Sequence, residues 1–168
     1  YLKKITAQSL RMSGEQKFKE GDSLLFSRET TNRADLLVFT DQFQCYKSRL
    51  SEFEDGKASQ LGDYLPQKLG MEQGESVISV VLTQDYGGFV LFFFENGKVA
   101  KVPLNAYETK TNRKKLTGAY CDKSPLVSVY ALQADEQMAV YASDGRALIF
   151  STAQLLPKTT RNTQGVTV

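Results

Sequence analysis

The chain repeats itself, and a repeat of about fifty residues restricts the possible folds more than any composition does. Three stretches read alike. They are Ala-Asp-Leu-Leu-Val-Phe-Thr-Asp-Gln-Phe-Gln-Cys-Tyr-Lys at 34–47, Gly-Phe-Val-Leu-Phe-Phe-Phe-Glu-Asn-Gly-Lys-Val-Ala-Lys at 88–101, and Gln-Met-Ala-Val-Tyr-Ala-Ser-Asp-Gly-Arg-Ala-Leu-Ile at 137–149. Each is an apolar run, a tight turn and a second run of alternating polarity, the pattern of a β-hairpin. Asn96-Gly97 and Asp144-Gly145 are favoured central pairs of a type I′ turn, and that turn is expected at both. Gln42-Phe43 holds the matching place in the first copy and is a poorer turn pair, so a longer or bulged loop is expected there. The turns recur at 42, 96 and 144, spacings of 54 and 48.

A third strand precedes each hairpin in the sequence. Gly-Asp-Ser-Leu-Leu-Phe-Ser (21–27), Gly-Glu-Ser-Val-Ile-Ser-Val (74–80) and Lys-Ser-Pro-Leu-Val-Ser-Val (123–129) recur at offsets of 53 and 49. Polar connectors follow the hairpins at 55–60, 109–116 and 157–166, and an offset of 48 places Arg113 and Arg161 together. Helix is nearly absent: Gly62 and Pro66 limit the best candidate, 61–69, to about one turn. Short 3₁₀-like corners are expected at 50–53, 104–107 and 152–155. The runs 36–39, 89–94 and 138–142 are unbroken rather than alternating, as suits strands covered on both faces. A unit of this length, mostly strand, is the size of one four-stranded propeller blade. The expected fold is therefore all-β, with propeller-like repeats of four-stranded antiparallel blades. About three blades fit in one partial domain spanning 1–168, with blade regions at 1–54, 55–108 and 109–168.

Composition removes several chemistries. There is no His and there are two Cys, Cys45 and Cys121. No Ser-His-Asp or Cys-His device can be assembled, and no zinc site of four Cys/His ligands. Both thiols are read as buried and reduced, consistent with a reducing compartment. Glu52, Glu54, Asp55 and the pair Asp135-Glu136 lack the spacing of a calcium loop and read as turn and surface acids. Gly87-Gly88 reads as a hairpin turn, since neither a Lys-Ser/Thr pair nor a helix follows. No catalytic and no metal site is expected, and no cofactor. The longest apolar run, 89–94, is far below the ~20 residues of a membrane-spanning helix. The opening Tyr1-Leu2-Lys3-Lys4 is neither an initiation site nor a signal core, so the chain is read as an excised piece of something longer.

The net charge of +2 hides a strong asymmetry. Residues 1–19 hold five cations against Glu15; residues 98–115 hold six against Glu108; and from Arg146 onward there are three and no acid. Residues 50–96 are the counterweight, with eight acids against Lys57 and Lys68. Basic segments set against an acidic one suit a protein with one face for polyanions.

These motifs carry a family resemblance over the whole chain. The order Leu-Leu-Val-Phe-Thr-Asp (36–41), Gln-Cys-Tyr-Lys (44–47), Gly-Glu-Ser-Val-Ile-Ser-Val (74–80) and Arg-Asn-Thr-Gln-Gly-Val (161–166) resembles the carboxy-terminal domain of the A subunit of bacterial type IIA topoisomerases. That family comprises DNA gyrase and topoisomerase IV. Tyr1-Leu2-Lys3-Lys4 resembles its Gly-Tyr-Ile-Lys-Arg strand, and 161–166 its Arg-x-Thr-x-Gly-Val connector. The resemblance implies a β-pinwheel, a propeller-like disc of about six blades when complete. It implies a non-catalytic module that binds and bends or wraps duplex DNA beside a cleavage core, within an ATP-dependent DNA topoisomerase. The implied partners are double-stranded DNA, the rest of the A subunit, and through it the ATPase B subunit, with no membrane. The implied location is the bacterial cytoplasm, at the nucleoid. The gyrase box Gln-Arg-Arg-Gly-Gly-Lys-Gly has no match in 10–18: either the fragment begins in a later blade, or it is topoisomerase IV-like or a divergent gyrase, and DNA bending is expected in each case while chiral wrapping is left open.

Phosphates are held by Lys and Arg at repeated positions without base readout in proteins that bend DNA. The candidate DNA-binding residues are the connector cations Lys110, Arg113, Lys114, Lys115, Lys158 and Arg161, with Lys3, Lys4 and Arg11 from the basic start. Thr109, Thr111, Thr160 and Thr163 can add hydroxyl donors. The alternative reading is a propeller-like protein-interaction platform without nucleic-acid binding.

Overall fold

The computed structural model describes residues 1–111 and 113–168; Asn112 of the second connector lies outside the described residues. In chain order the elements are helix α1 (Ala7–Met12), β1 (Asp35–Thr40), β2 (Gln44–Arg49), helix α2 (Leu65–Leu69), β3 (Val77–Thr83), β4 (Phe89–Phe94), β5 (Lys98–Pro103), β6 (Lys115–Thr117), β7 (Leu126–Leu132), β8 (Gln137–Tyr141), β9 (Ala147–Ser151) and β10 (Val166–Thr167). Short 3₁₀ corners follow the hairpins at Leu50–Glu52, Leu104–Tyr107 and Thr152–Gln154, where the sequence places them. Pro66 stands in the first turn of α2 and left-handed Gly70 ends it after five residues.

The hairpins β1–β2, β4–β5 and β8–β9 are antiparallel and close with the same bond. Leu50 N–H donates to the Ala34 carbonyl (3.0 Å), Leu104 N–H to Gly88 (3.0 Å) and Thr152 N–H to Glu136 (2.9 Å). The turns at 96–97 and 144–145 differ from expectation. Asn96 and Asp144 are not among the residues with positive φ, whereas Gly97 (φ 77) and Gly145 (φ 86) are, so neither turn is type I′. Each is a β-turn, closed by Gly97 N–H to the Phe94 carbonyl or Gly145 N–H to the Ala142 carbonyl, with its last residue left-handed, the next most common hairpin connection after the two-residue turns. Phe43 takes that left-handed place in the first hairpin, at φ 59, so the loop there is of the bulged kind expected, the same length as the other two. A left-handed aromatic costs on the order of 1–2 kcal/mol. Its ring against Tyr120 (5.5 Å between centroids) and the bond from Ala119 N–H to its carbonyl (2.9 Å) offset this.

The sheets are not contiguous in sequence. One has strand order β3-β1-β2-β6, another β10-β5-β4-β7, and β8-β9 forms a two-stranded ribbon. The strand that opens each unit therefore bonds to the hairpin of the unit before it: β3 lies on β1 and β7 on β4. The fourth strand comes from beyond the next hairpin, β6 on β2 and β10 on β5. Both opening strands carry a register shift at the matching place, Phe39/Thr40 and Phe93/Phe94. The expected strand at 21–27 is absent: no hairpin precedes it among the described residues, and it lies exposed. The expectation of double-sided burial holds for 36–39 and for β4 but not for 138–142, where β8 alternates between half-buried and exposed.

The main core fills the space between the two four-stranded sheets. Phe39 meets Phe92 and Tyr107 edge-on, both at 5.3 Å, and Phe92 stacks on Tyr120 at 5.7 Å. Such pairs contribute about 0.5–1.5 kcal/mol each beyond area burial. The buried hydroxyls are satisfied, Tyr107 donating to the Ala119 carbonyl (2.6 Å) and Tyr120 to that of Thr40. Burial pushes the Tyr120 phenol up to about 12. Cys45 and Cys121 are buried free thiols, and burial pushes the Cys45 thiol well up, so it is inert. Among the described residues no helix is long and apolar enough to cross a membrane.

Candidate nucleic-acid interface

The nine candidate cations fall into three groups once their side chains are placed. Lys3, Lys4 and Arg161 are spent on the protein itself. Lys3 Nζ donates to Gln16 Oε1 (3.2 Å) and to the carbonyls of Lys17 (3.1 Å) and Ala58 (2.9 Å). Lys4 Nζ pairs with Asp55 (3.3 Å) and donates to the Leu50 carbonyl (3.2 Å) and Asn32 Oδ1 (3.2 Å). Arg161 donates to the Ala106 carbonyl (3.0 Å), its guanidinium 6.0 Å from the Tyr107 ring. It ties the third connector to the corner of the second unit.

Lys114 and Lys115 form surface ion pairs. Lys114 reaches Glu52 at 3.5 Å, and Lys115 reaches Glu72 at 2.8 Å while lying 5.6 Å from the Tyr46 ring. The hydrogen bond to Glu72 holds the Lys115 ammonium above its ordinary range. Arg11, Lys110, Arg113 and Lys158 are exposed and pair with no carboxylate among the described residues. Arg11 donates only to the Ala7 carbonyl of its own helix (3.3 Å). Lys110, Arg113 and Lys158 stand on the connectors leading to β6 and β10, which are edge strands of the two four-stranded sheets. Thr109 in the same connector accepts from Lys47 Nζ (3.2 Å) and donates to the Thr111 carbonyl (2.7 Å).

Arg113 and Arg161 are not equivalents. Leu116 pairs with Cys45 while Val166 pairs with Val99, an offset of 50 between the connectors. Arg161 therefore matches Thr111, and Arg113 matches Thr163. A slip of two residues keeps a side chain on the same face of a strand, which is why the pattern hid it.

A set of structural lysines went unrecognised in the sequence. Leu2 pairs with Asp63 as Val99 pairs with Val166, so Lys4 stands where Lys101 does in the second hairpin. Lys101 is 4% exposed, donates to the Thr152 carbonyl (3.0 Å) and pairs with Asp135 at 2.7 Å. Lys4 and Lys101 each reach the first residue of the 3₁₀ corner in the following unit, Leu50 and Thr152. The Lys101 ammonium and the Thr152 hydroxyl together hold the Asp135 carboxyl below its ordinary range. The signal was present in the common phase of Lys4, Lys47 and Lys101, at the ends of matching strands. The acids considered as cation ligands have these partners instead: Asp55 meets Lys4, Glu52 meets Lys114 and Asp135 meets Lys101.

Glu75 is a second buried charge, 7% exposed. It accepts from Tyr46 Oη (2.7 Å), Thr40 Oγ1 (2.5 Å) and the Glu72 N–H (3.0 Å), fastening β3 to the first hairpin. Burial pulls its carboxyl up, but these donors with Lys115 nearby outweigh burial and hold it below its ordinary value.

No family model matches the chain. The A subunit of DNA topoisomerase 4 from Staphylococcus aureus is 26% identical over 160 residues, covering 92% of this chain and 20% of the relative. The same protein from strain MRSA252 matches to the same extent. The chain thus spans about a fifth of the length of the curated relatives it matches. Among solved structures, the C-terminal domain of DNA topoisomerase IV superposes with a TM-score of 0.84 at 24% identity, covering 99% of this chain and 53% of that one. The E. coli ParC C-terminal domain gives 0.66 at 16% identity, covering 89% and 60%. The DNA gyrase A C-terminal domain gives 0.57 at 16% identity, covering 92% and 52%. The fold is the β-pinwheel of these A-subunit domains, and the resemblance read from the connectors stands.

Proposed function

We propose that this chain is a non-catalytic DNA-binding and DNA-bending module of the A subunit of a type IIA topoisomerase. In this reading its partners are duplex DNA, the rest of the A subunit, and through it the ATPase B subunit, in the bacterial cytoplasm. One observation carries the reading: within a pinwheel shared with the topoisomerase IV C-terminal domain, the connectors present Lys110, Arg113 and Lys158 without acidic partners among the described residues. Exposed connector cations without acidic partners among the described residues are available to phosphates, whereas Lys3, Lys4 and Arg161 are already committed to carbonyls and Asp55. Lys114, Lys115 and Arg11 supplement them, the first two by exchanging a surface carboxylate for a phosphate. Such exposed pairs contribute under about 1 kcal/mol and are easily traded.

Phosphate binding of this kind releases counterions, so affinity falls steeply with salt and ignores sequence. The test is duplex binding followed against salt for the parent, for K110A/R113A/K158A and for Arg161→Ala. The triple variant is expected to weaken binding to all duplexes alike and to flatten the salt slope by about 0.9 for each phosphate no longer neutralised. Arg161→Ala is expected to leave the slope alone and lower stability. An unchanged slope in the triple variant would remove the connectors from the interface. A parent chain that binds no duplex would favour the protein-interaction platform.

A further inference from the structure

We propose that Glu52 and Glu72 are tethered counterions: they occupy Lys114 and Lys115 in place of DNA phosphates, and so lower the affinity of the chain for DNA and speed its release. The inference rests on the DNA-binding reading above and gives two carboxylates a part in it. Lys114 is the last residue before β6 and Lys115 the first residue in it. Each ammonium is met by a carboxylate of the first unit. Glu52, in the 3₁₀ corner after β2, lies 3.5 Å from Lys114; Glu72, between α2 and β3, lies 2.8 Å from Lys115. The Glu72 pair is held from behind. Glu75 accepts from the Glu72 N–H (3.0 Å) and from Tyr46 Oη (2.7 Å), and the Tyr46 ring lies 5.6 Å from the Lys115 ammonium. One buried carboxylate thus fixes both neighbours of that ammonium.

The second four-stranded sheet supplies the comparison. By strand register, Lys114 and Lys115 fall on Gln164 and Gly165, and Glu72 falls on Cys121. The closing bonds of Leu50 and Leu104 match Glu52 with Ala106. Both acids and both bases are therefore missing together from the second sheet. Their joint presence at the first is not needed to hold a blade, since exposed ion pairs contribute little to stability. It does control the charge that the connector offers. A phosphate approaching Lys115 meets the Glu72 carboxylate and must displace it, and the freed carboxylate is left beside the DNA backbone. The same holds for Glu52 at Lys114. This repulsion opposes binding and favours release, and because all four side chains reach solvent it is screened by salt.

The experiment is duplex binding against salt for the 168-residue chain, for E52Q/E72Q, and for a charge-matched control, E95Q/D144N, which neutralises two exposed acids outside the connectors. Gln keeps the size of Glu, and Glu52 and Glu72 are both exposed, so the fold is expected to survive, with circular dichroism as the check. E52Q/E72Q is expected to bind duplexes of any sequence about three- to thirtyfold more tightly at low salt, with the gain mostly in the dissociation rate. Its salt slope should steepen by up to about 0.9 for each phosphate that Lys114 and Lys115 then neutralise unopposed. The gain should vanish when K114A/K115A is added. A parent that binds DNA with no gain in E52Q/E72Q, an equal gain in E95Q/D144N, or a gain that persists without the two lysines overturns the proposal and leaves the DNA-binding reading standing. Duplex binding by neither the parent nor E52Q/E72Q overturns both.

Discussion

The second and third hairpins share a sequence pattern and a closing bond but live in different surroundings. β4 is flanked by β5 and β7, and its Val90, Leu91 and Phe92 are fully buried; β8 has β9 alone, and its residues alternate between half-buried and exposed. The difference teaches that the local sequence makes the hairpin, while the following unit makes the sheet. A hairpin alone is marginal in water, and three or more strands are needed for independent stability.

The sharpest way to break this comparison is a pair of matched truncations. Phe92→Ala is expected to destabilise by about 3–5 kcal/mol, as for a buried aromatic. Val140→Ala, its counterpart in β8, is expected to cost about 1 kcal/mol or less. Denaturant unfolding measures both, and equal losses would mean that β8–β9 is as integrated as β4–β5. A second comparison uses glycine. A Cβ at Gly165 would stand 2.2 Å from the Val99 carbonyl oxygen, at φ +74, where β10 crosses β5. Gly165→Ala is expected to cost at least about 2 kcal/mol, whereas Gly145→Ala, at φ +86 with open space around it, should cost about 1.

Acidification sharpens the comparison at a smaller scale. Glu75 latches β3 to the first hairpin, while Ser124 holds the matching place in the second, its Oγ accepting from Asn96 N–H (3.1 Å). Because the folded Glu75 carboxyl is held below its ordinary value, the unfolded chain binds the proton more readily. Its contribution is therefore complete above the ordinary carboxylate range near ~4.3 and is lost as pH falls toward the folded value. Glu75→Gln is expected to cost about 1–2 kcal/mol at neutral pH and to flatten the acid limb of stability against pH. An unchanged acid limb would remove Glu75 as its source. The smallest effect expected is Lys114→Ala: its pair with Glu52 is exposed on both sides, and the change should stay within about 0.5 kcal/mol.

Hairpins, corners and the short α2 helix were legible because each is set by neighbours in sequence: an apolar run, a turn pair, a proline. Strand partnership was not, since β3 and β7 look the same whichever hairpin they join, and only the packing of Val77 or Leu126 decides. The left-handed backbone of Phe43 escaped for a similar reason. It is held by Tyr120 and Ala119, far away along the chain. The candidate interface was half legible. Residue type marked the cations but could not say which ammonium faces a carbonyl, so Lys4 and Lys110 looked alike. Lys101 went unnoticed because nothing local announces that a lysine in β5 reaches the Thr152 carbonyl.

The interleaving of units also sets a timetable for synthesis. Translation of the first hairpin is finished at Arg49, but its sheet is incomplete until β6 begins at Lys115. At about 5–20 residues per second, that interval is roughly 3 to 13 seconds. The first two hairpins therefore wait on the ribosome for the units that follow them, a window in which the nascent chain offers unfinished edges to chaperones or to neighbouring polypeptides in a polysome.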